Sequence, residues 1–272
     1  MQCKCVFIAM VLLVSVLCRA SDVPKKLDTR APQQPQPPAP SLALSPAVIM
    51  VKAQPGASST HPLTMTNLTG TRFRFVLEAF DVVIQGGKRV FVPAGETEGG
   101  IARSAIFDPP AIELNPGESA QVKITLTVPA EPKVRAVAAI FHGQTALPGK
   151  GTLMFTGSLG ALITYNLSEK IAVRVDAPAI SAQTESSNLT VSEHLENDGP
   201  EPVIPKGTLA ILKNSGELVG RVAIQPHRLL PGEEFDYAVE YPHNLRPGKY
   251  RAMVSLEHEG GVQTSNIEFE VR

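Results

Sequence analysis

Tryptophan is absent from this 272-residue chain, and aromatic residues of all kinds make up only 5% of it. Neither sign of charge dominates: Lys+Arg total 25, Asp+Glu 26, and the formal net charge is −1. Without a basic field there is nothing to hold a phosphate backbone, so nucleic-acid binding is excluded. Cysteine is as scarce, because Cys3, Cys5 and Cys18 are the only three and all fall at the start. No apolar run after the first twenty residues is long enough to span a bilayer, which needs about 20 such residues.

What is present is proline (24), glycine (21) and a 43% share of hydrophobic residues. That is enough apolar material for packed cores, divided by many turns into short strands, and the length predicts about two domains of ordinary size. Residues 1–20 read as a secretory signal, with Lys4 at the charged end and Val6 to Leu17 as the apolar stretch. Cys18 and Ala20 take the small-residue positions before a cleavage site, and cleavage there leaves a chain of charge −3 with no cysteine and no disulfide. Lipidation at Cys18 is the rival reading, although bulky Leu17 stands where a lipobox wants a small residue. An exported chain without disulfides suits the periplasm or surface of a bacterium, so the sequons at Asn67, Asn166 and Asn188 are read as chance matches.

Residues 21–43 form a Pro/Gln-rich spacer with no apolar periodicity, expected to be disordered. Beyond it, alternating runs cut by turn residues predict an all-β protein of two immunoglobulin-like β-sandwich domains in tandem, residues 44–176 and 177–272. Strands are expected near Leu44–Ala53, Pro62–Leu68, Arg72–Ile84, Ala111–Leu114, Ala120–Val128, Val134–His142 and Ala161–Val175. A second set is expected near Asn188–Glu196, Thr208–Lys213, Leu218–Ile224, Glu234–Tyr241, Lys249–Glu257 and Val262–Val271. The halves rhyme: Asn115-Pro116-Gly117-Glu118 precedes one alternating strand as Leu230-Pro231-Gly232-Glu233 precedes another.

The residues of catalysis do not assemble into a motif. Six histidines, His61, His142, His194, His227, His243 and His258, form no metal-ligand spacing, so no metal site and no cofactor is expected. Ser158 lacks the strand-to-helix context of a nucleophile elbow, and Gly149-Lys150-Gly151-Thr152 lacks the glycine spacing and following helix of a phosphate loop. The chain reads as a noncatalytic protein.

The segment at the end of the first domain carries the most information. Ile163, Tyr165, Leu167, Ile171, Val173 and Val175 fall on one face of a two-residue period, with Glu169 the single interruption; Lys170 and Arg174 lie on the other face. The preceding connection, Gly143 to Gly160, is long and carries Leu147, Leu153, Met154 and Phe155 among five glycines. Two readings stand: a partner-binding strand and loop, or an ordinary core face beside a further hairpin strand.

The run Asp108-Pro109-Pro110-Ala111-Ile112-Glu113-Leu114-Asn115-Pro116-Gly117-Glu118, followed by Gln121-Val122-Lys123-Ile124, resembles the signature of PapD-like periplasmic pilus chaperones. The order of parts is similar too, from Ser45–Val51 as a first strand to the basic ending Lys170-Ile171-Ala172-Val173-Arg174. The resemblance covers roughly Ser41 to Asp176. It implies capture of an incomplete immunoglobulin-like subunit by strand addition, with Ile163, Tyr165, Leu167, Lys170, Ile171, Val173 and Arg174 as the partner-binding residues. It also implies a cleft in which an arginine of the first strand and a lysine of the last hold the subunit's terminal carboxylate, Lys170 being that lysine. Ala47 stands at the arginine's position and Val175 where a proline follows. Loss of one of two cationic donors weakens such an anchor by about 2 to 5 kcal/mol.

The second half looks more like tandem immunoglobulin-like domains that bind peptidoglycan or surface proteins in bacterial envelopes, through turns such as Asn197-Asp198-Gly199 and Asn214-Ser215-Gly216. Two functions are therefore expected in order: chaperone-like capture of a protein partner, a pilin-like subunit, in the periplasm; and, as the alternative, an adhesion or scaffolding module in contact with the cell wall. No membrane span is expected in the mature chain.

Overall fold

The computed structural model describes residues 41–146, 154–176, 179–182, 189–242 and 245–271. The signal segment, most of the spacer, residues 147–153 of the long connection and the sequon at Asn188 lie outside them. Among the described residues the regular structure is β-strand apart from one 3-10 turn, Ala102–Ser104.

The first sandwich contains β1 (Leu42–Ser45), β2 (Val48–Lys52), β3 (Ser58–Asn67), β4 (Phe73–Gln85), β5 (Lys88–Pro93), β6 (Ile106–Asp108), β7 (Ala111–Leu114), β8 (Ser119–Thr127), β9 (Ala136–Ala146) and β10 (Met154–Asn166). One sheet runs β1-β3-β8-β6; the other runs β2-β10-β9-β4-β5, with β7 also on β4. Alternation explains the layering: Phe73, Phe75 and Leu77 of β4 face Val122, Ile124 and Leu126 of β8, while Arg74, Val76 and Glu78 point outward. Each such side chain taken fully out of water contributes about 1.5 to 3 kcal/mol.

Two expectations about strands need correction here. Leu44–Ala53 is not one strand: β1 belongs to one sheet and β2 to the other, and the chain crosses at Pro46, which has no N–H to continue a ladder. β5 and β6 were not expected at all. β5 follows a two-residue hairpin turn in which Gly86 and Gly87 both have positive φ, 57° and 74°, as that tight turn requires.

The second sandwich holds β11 (Arg174–Val175), β12 (Ala179–Ala182), β13 (Leu189–Glu196), β14 (Lys206–Lys213), β15 (Leu218–Ile224), β16 (Glu234–Tyr241), β17 (Gly248–His258) and β18 (Gly261–Val271). Its sheets are β15-β14-β17-β18 and a set in which β11, β12 and β16 all pair with β13. Val191, Leu195, Leu209, Tyr241 and Val254 are among the side chains that close its core.

The sequence rhyme between the halves extends to matching atoms. At the end of β3, buried Asn67 donates from Nδ2 to the carbonyls of Thr71 (2.8 Å) and Leu114 (3.1 Å) and accepts the Thr69 N–H (3.0 Å). At the end of β13, buried Asn197 donates to the carbonyls of Glu201 (2.8 Å) and Leu229 (3.1 Å) and accepts the Gly199 N–H (3.1 Å). Gly117 and Gly232 each donate to the carbonyl of their asparagine at 2.7 Å. Glu118 and Glu233 each close their turn by accepting the N–H three residues back, from Asn115 and Leu230, at 2.8 Å.

The second copy of this turn also joins the sandwiches. Leu230, in the place of Asn115, packs on Val82, Ala136 and Ala138 of the first sandwich. Glu233 pairs with Arg89 of β5 at 2.8 Å, and the Glu234 N–H reaches the Gly87 carbonyl at 3.0 Å. A β-carbon on Gly87 would lie 2.7 Å from the Glu234 carboxyl carbon, so glycine serves both the hairpin and the joint.

Candidate functional site

The segment expected to present one continuous face is divided by the structure. β10 ends at Asn166, residues 167–173 form a connection, and Arg174–Val175 pairs with Glu196 and Leu195 of the second sandwich. Ile163 and Tyr165 are fully buried in the first core, where the Tyr165 hydroxyl meets Ser59 Oγ at 3.0 Å. Leu167 is half-buried against that same core, whereas Ile171 packs on the second core and Val173 is buried within it. Lys170 is exposed, and Arg174 is exposed and paired with Glu196.

Glu201 is the cause of the break. This carboxylate is 1% exposed, accepts the Leu167 N–H (2.9 Å) and the Ser168 hydroxyl (2.9 Å), and lies 3.5 Å from Arg135 Nε. It turns the chain out of β10 by satisfying groups that a longer strand would have paired. The period-two pattern continued through residues 167–175 because the connection feeds two cores in succession, a coincidence that periodicity alone does not separate from one strand.

The open part of β10 lies upstream. β9 covers one side of the strand from Met154 opposite Ala146 to Thr164 opposite Ala136. On the other side β2 pairs in parallel with Leu162–Asn166 only. The Leu162 N–H points to this side, donating to the Ala47 carbonyl at 2.9 Å, and Tyr165 points the opposite way, donating to Arg135. By the strand alternation, the N–H and C=O groups of Thr156, Ser158 and Gly160 point toward the side that no described strand covers. Thr156, Ser158 and Gly160 are also exposed. The sequence reading left this stretch open between a loop and a further hairpin strand, and the structure makes it strand; its signal, Thr156 and Ser158 alternating with Phe155, Gly157 and Leu159, is weakened by three glycines at 151, 157 and 160.

Ser158 Oγ lies 3.0 Å from His142 Nδ1, and Glu78 lies 3.3 Å from His142 Nε2. These three side chains cross β10, β9 and β4 on the outward face of the sheet, with His142 and Glu78 both more than a third exposed. They tie three strands together on the outward face of the sheet. Among the described residues no group of three or more metal-ligating side chains gathers, and no helix is long and apolar enough to cross a membrane.

At the joint, the outward face of β10 meets the second sandwich. Arg228 donates through Nη1 to Thr164 Oγ1, and its own carbonyl accepts from Arg89 at 2.5 Å. Its Nε is sequestered from solvent without a hydrogen-bond partner among the described residues. Burial pushes its pKa down, the neighbouring Arg89 adds to this, and Glu259 opposes it. Nothing in the sequence pattern marks Arg228, which precedes the Leu229-Leu230-Pro231 turn and reaches the first sandwich only through the tertiary fold.

No protein-family model matches the chain, and no curated protein matches it. Solved structures do resemble it. The class 5 fimbriae chaperone CfaA is 15% identical, with 85% of this chain and 99% of that one covered and a TM-score of 0.43. The Escherichia coli chaperone DraB is 17% identical, covering 86% and 98%, with a TM-score of 0.37. A CsuC–CsuE chaperone–tip subunit pre-assembly complex from Csu pili of Acinetobacter baumannii is 15% identical, covering 84% and 97%, with a TM-score of 0.39. At these identities and scores the tandem-sandwich fold stands on the strand order given above.

Proposed function

We propose that this chain is a noncatalytic, exported binding protein of a bacterial envelope that captures an extended segment of a protein partner, a pilin-like subunit, by strand addition. The observation that carries this reading is the uncovered side of β10 at Thr156, Ser158 and Gly160, ending where β2 begins at Val48. Unpaired backbone groups on a strand edge are a template for another strand. The resemblance of the Asp108–Ile124 run to PapD-like chaperones supports the same reading. Ile163, Tyr165 and Leu167 then act from inside, anchoring β10 in the core, and Ile171 and Val173 anchor the connection in the second core. Lys170 is an exposed basic residue four positions past the end of β10, with Arg174 held by Glu196.

A photo-cross-linking residue at Ser158, used in the producing cells and read by mass spectrometry, tests this. Recovery of a small subunit lacking one strand of its own sandwich, lost when Thr156→Pro is added to the labelled chain and kept when Thr156→Val is added, is the expected result. Equal recovery from both variants would remove strand addition. A second reading, loop-based contact with wall polymer, is favoured by the cavity of about 460 Å³ at the far end of the first sandwich, lined by Arg72, Arg74, Glu113, Gln144 and Thr145 among others. Sedimentation with insoluble wall material, abolished by Arg74→Ala and indifferent to Thr156→Pro, would select it.

A further inference from the structure

Among the described residues β18 is the longest strand with one side wholly unpaired. Its 11 residues pair with β17 in one unbroken register, from Gly261 opposite His258 to Val271 opposite Gly248, and no described segment pairs with the other side. The Asn214 N–H reaches the Lys249 carbonyl, so Lys249 and the other odd residues of β17 turn toward β14 and the even ones toward β18. Their partners on β18 are the odd residues. Val262, Thr264, Asn266, Glu268 and Glu270 therefore aim their N–H and C=O groups at the open edge, and their side chains are the exposed ones as well.

Open edges invite pairing, and several edges of this molecule are blunted against it. β1 and β6 are 4 and 3 residues long, β5 opens on Lys88-Arg89 and ends on Pro93, and β15 meets β14 across a register shift at Ile211/Leu212. β18 has no proline, no basic residue and no bulge. Both of its acids lie in the C-terminal half, each beside a base of β17: Glu268 pairs with Arg251 at 2.8 Å, and Glu270 stands opposite Lys249.

We propose that two copies of this chain join through β18, antiparallel, about a twofold axis at Asn266. Residues facing each other across a ladder share a face, so an axis perpendicular to the sheet must set one residue opposite itself. With Asn266 there, the whole strand pairs: Thr264 meets Glu268, Val262 meets Glu270, and on the inner face Ser265 meets Ile267. Each acid then faces an uncharged residue. Moving the axis to Glu268 sets that carboxylate against itself, moving it to Phe269 sets Glu268 against Glu270, and any shift leaves part of the strand unpaired. The two four-stranded sheets become one continuous sheet. An edge joint of this kind is small as interfaces go, so its dissociation constant is on the order of micromolar. The inference stands apart from the capture reading. β18 belongs to the second sandwich and the joint uses no group of β10, so the dimer carries two β10 edges.

Sedimentation equilibrium of the chain from Ser21 onward, which contains no cysteine, tests this. The expected result is a reversible monomer–dimer equilibrium, with Asn266→Pro raising the dissociation constant about tenfold to a hundredfold for the two symmetry-related hydrogen bonds it removes. That N–H points away from β17, so the substitution spares the β17–β18 ladder. Asn266→Lys reaches the same loss by setting like charges at the axis, and added salt partly reverses it. Asn266→Cys forms a disulfide-linked dimer on mild oxidation, because residues of a hydrogen-bonded pair have Cα atoms about 5.5 Å apart. A Thr264→Cys chain links to a Glu268→Cys chain when the two are mixed, and neither links to itself. A chain that stays monomeric at millimolar concentration overturns the inference, as does a dimer indifferent to Asn266→Pro and unlinked by Asn266→Cys. A dimer lost in Thr156→Pro and kept in Asn266→Pro would lie on β10 and overturns it too.

Discussion

Buried polar side chains do the most specific work at the scale of single residues. Asn67 and Asn197 each satisfy two carbonyls and one N–H in places water does not reach. Replacing either by Ala strands those groups and destabilises the chain by about 2 to 4 kcal/mol in urea unfolding. Glu193 is the contrasting case. It is 4% exposed, faces the second core from β13, accepts a hydrogen bond from Ser265, and has one oxygen with no partner among the described residues. Burial pushes its pKa up from 4.5, partly offset by Ser265, and its charge pushes Tyr237, already raised by its own burial, up to about 12. A folded-state pKa above the unfolded one means the folded chain holds that proton more tightly, so stability is fullest below 4.5 and is lost as pH rises through the raised value. Glu193→Gln therefore unfolds at a higher temperature than the parent at neutral pH, and calorimetry shows the gap closing as pH falls toward the ordinary glutamate range. Asp81, buried and raised in the same direction, adds to the parent's slope. The period of two puts Glu193 on the face of Val191 and Leu195, but the depth of its burial and its Ser265 partner were not legible until the opposing sheet was in place.

At the scale of elements, short-range chemistry was legible and pairing was not. The Pro-Gly-Glu turns of both halves were visible as a rhyme, and the structure gives them the same hydrogen bonds; what the sequence did not disclose is that only the second carries an added load. Glu118 is exposed and closes its turn alone, whereas Glu233 is 7% exposed and also holds Arg89. Glu118→Ala leaves the denaturant midpoint close to the parent's, whereas Glu233→Ala lowers stability by about 3 kcal/mol, a difference that denaturant midpoints resolve. The break between β1 and β2 was signalled by Pro46, and the β4–β5 hairpin by Gly86-Gly87, but recognising either as a change of sheet or a new strand needs knowledge of the partner strand. The end of β10 is the instructive error: the apolar period persists past Asn166 because successive residues serve different cores, and Glu201, 34 residues beyond Leu167, decides where pairing stops.

The whole molecule is two sandwiches tied by a few contacts: the Leu230 cluster, Arg89–Glu233, and Glu201 with the connection. Tandem sandwiches were readable from strand spacing, while the joint was not, because its residues lie far apart in sequence and none repeats a pattern. If the joint couples the two cores, a Leu230→Ala/Arg89→Ala variant separates one calorimetric unfolding transition into two, and retention of a single sharp transition would show that coupling resides elsewhere.

The central claim is that β10 keeps one uncovered backbone edge, and amide hydrogen exchange of the free chain measures it residue by residue. The account predicts alternation: fast exchange at Thr156, Ser158 and Gly160, slow exchange at Gly157, Leu159 and Ala161, and slow exchange on both parities from Leu162 onward, where β2 covers the strand. Uniform protection from Thr156 to Ala161 would contradict it, since an edge already covered has nothing left to offer a partner.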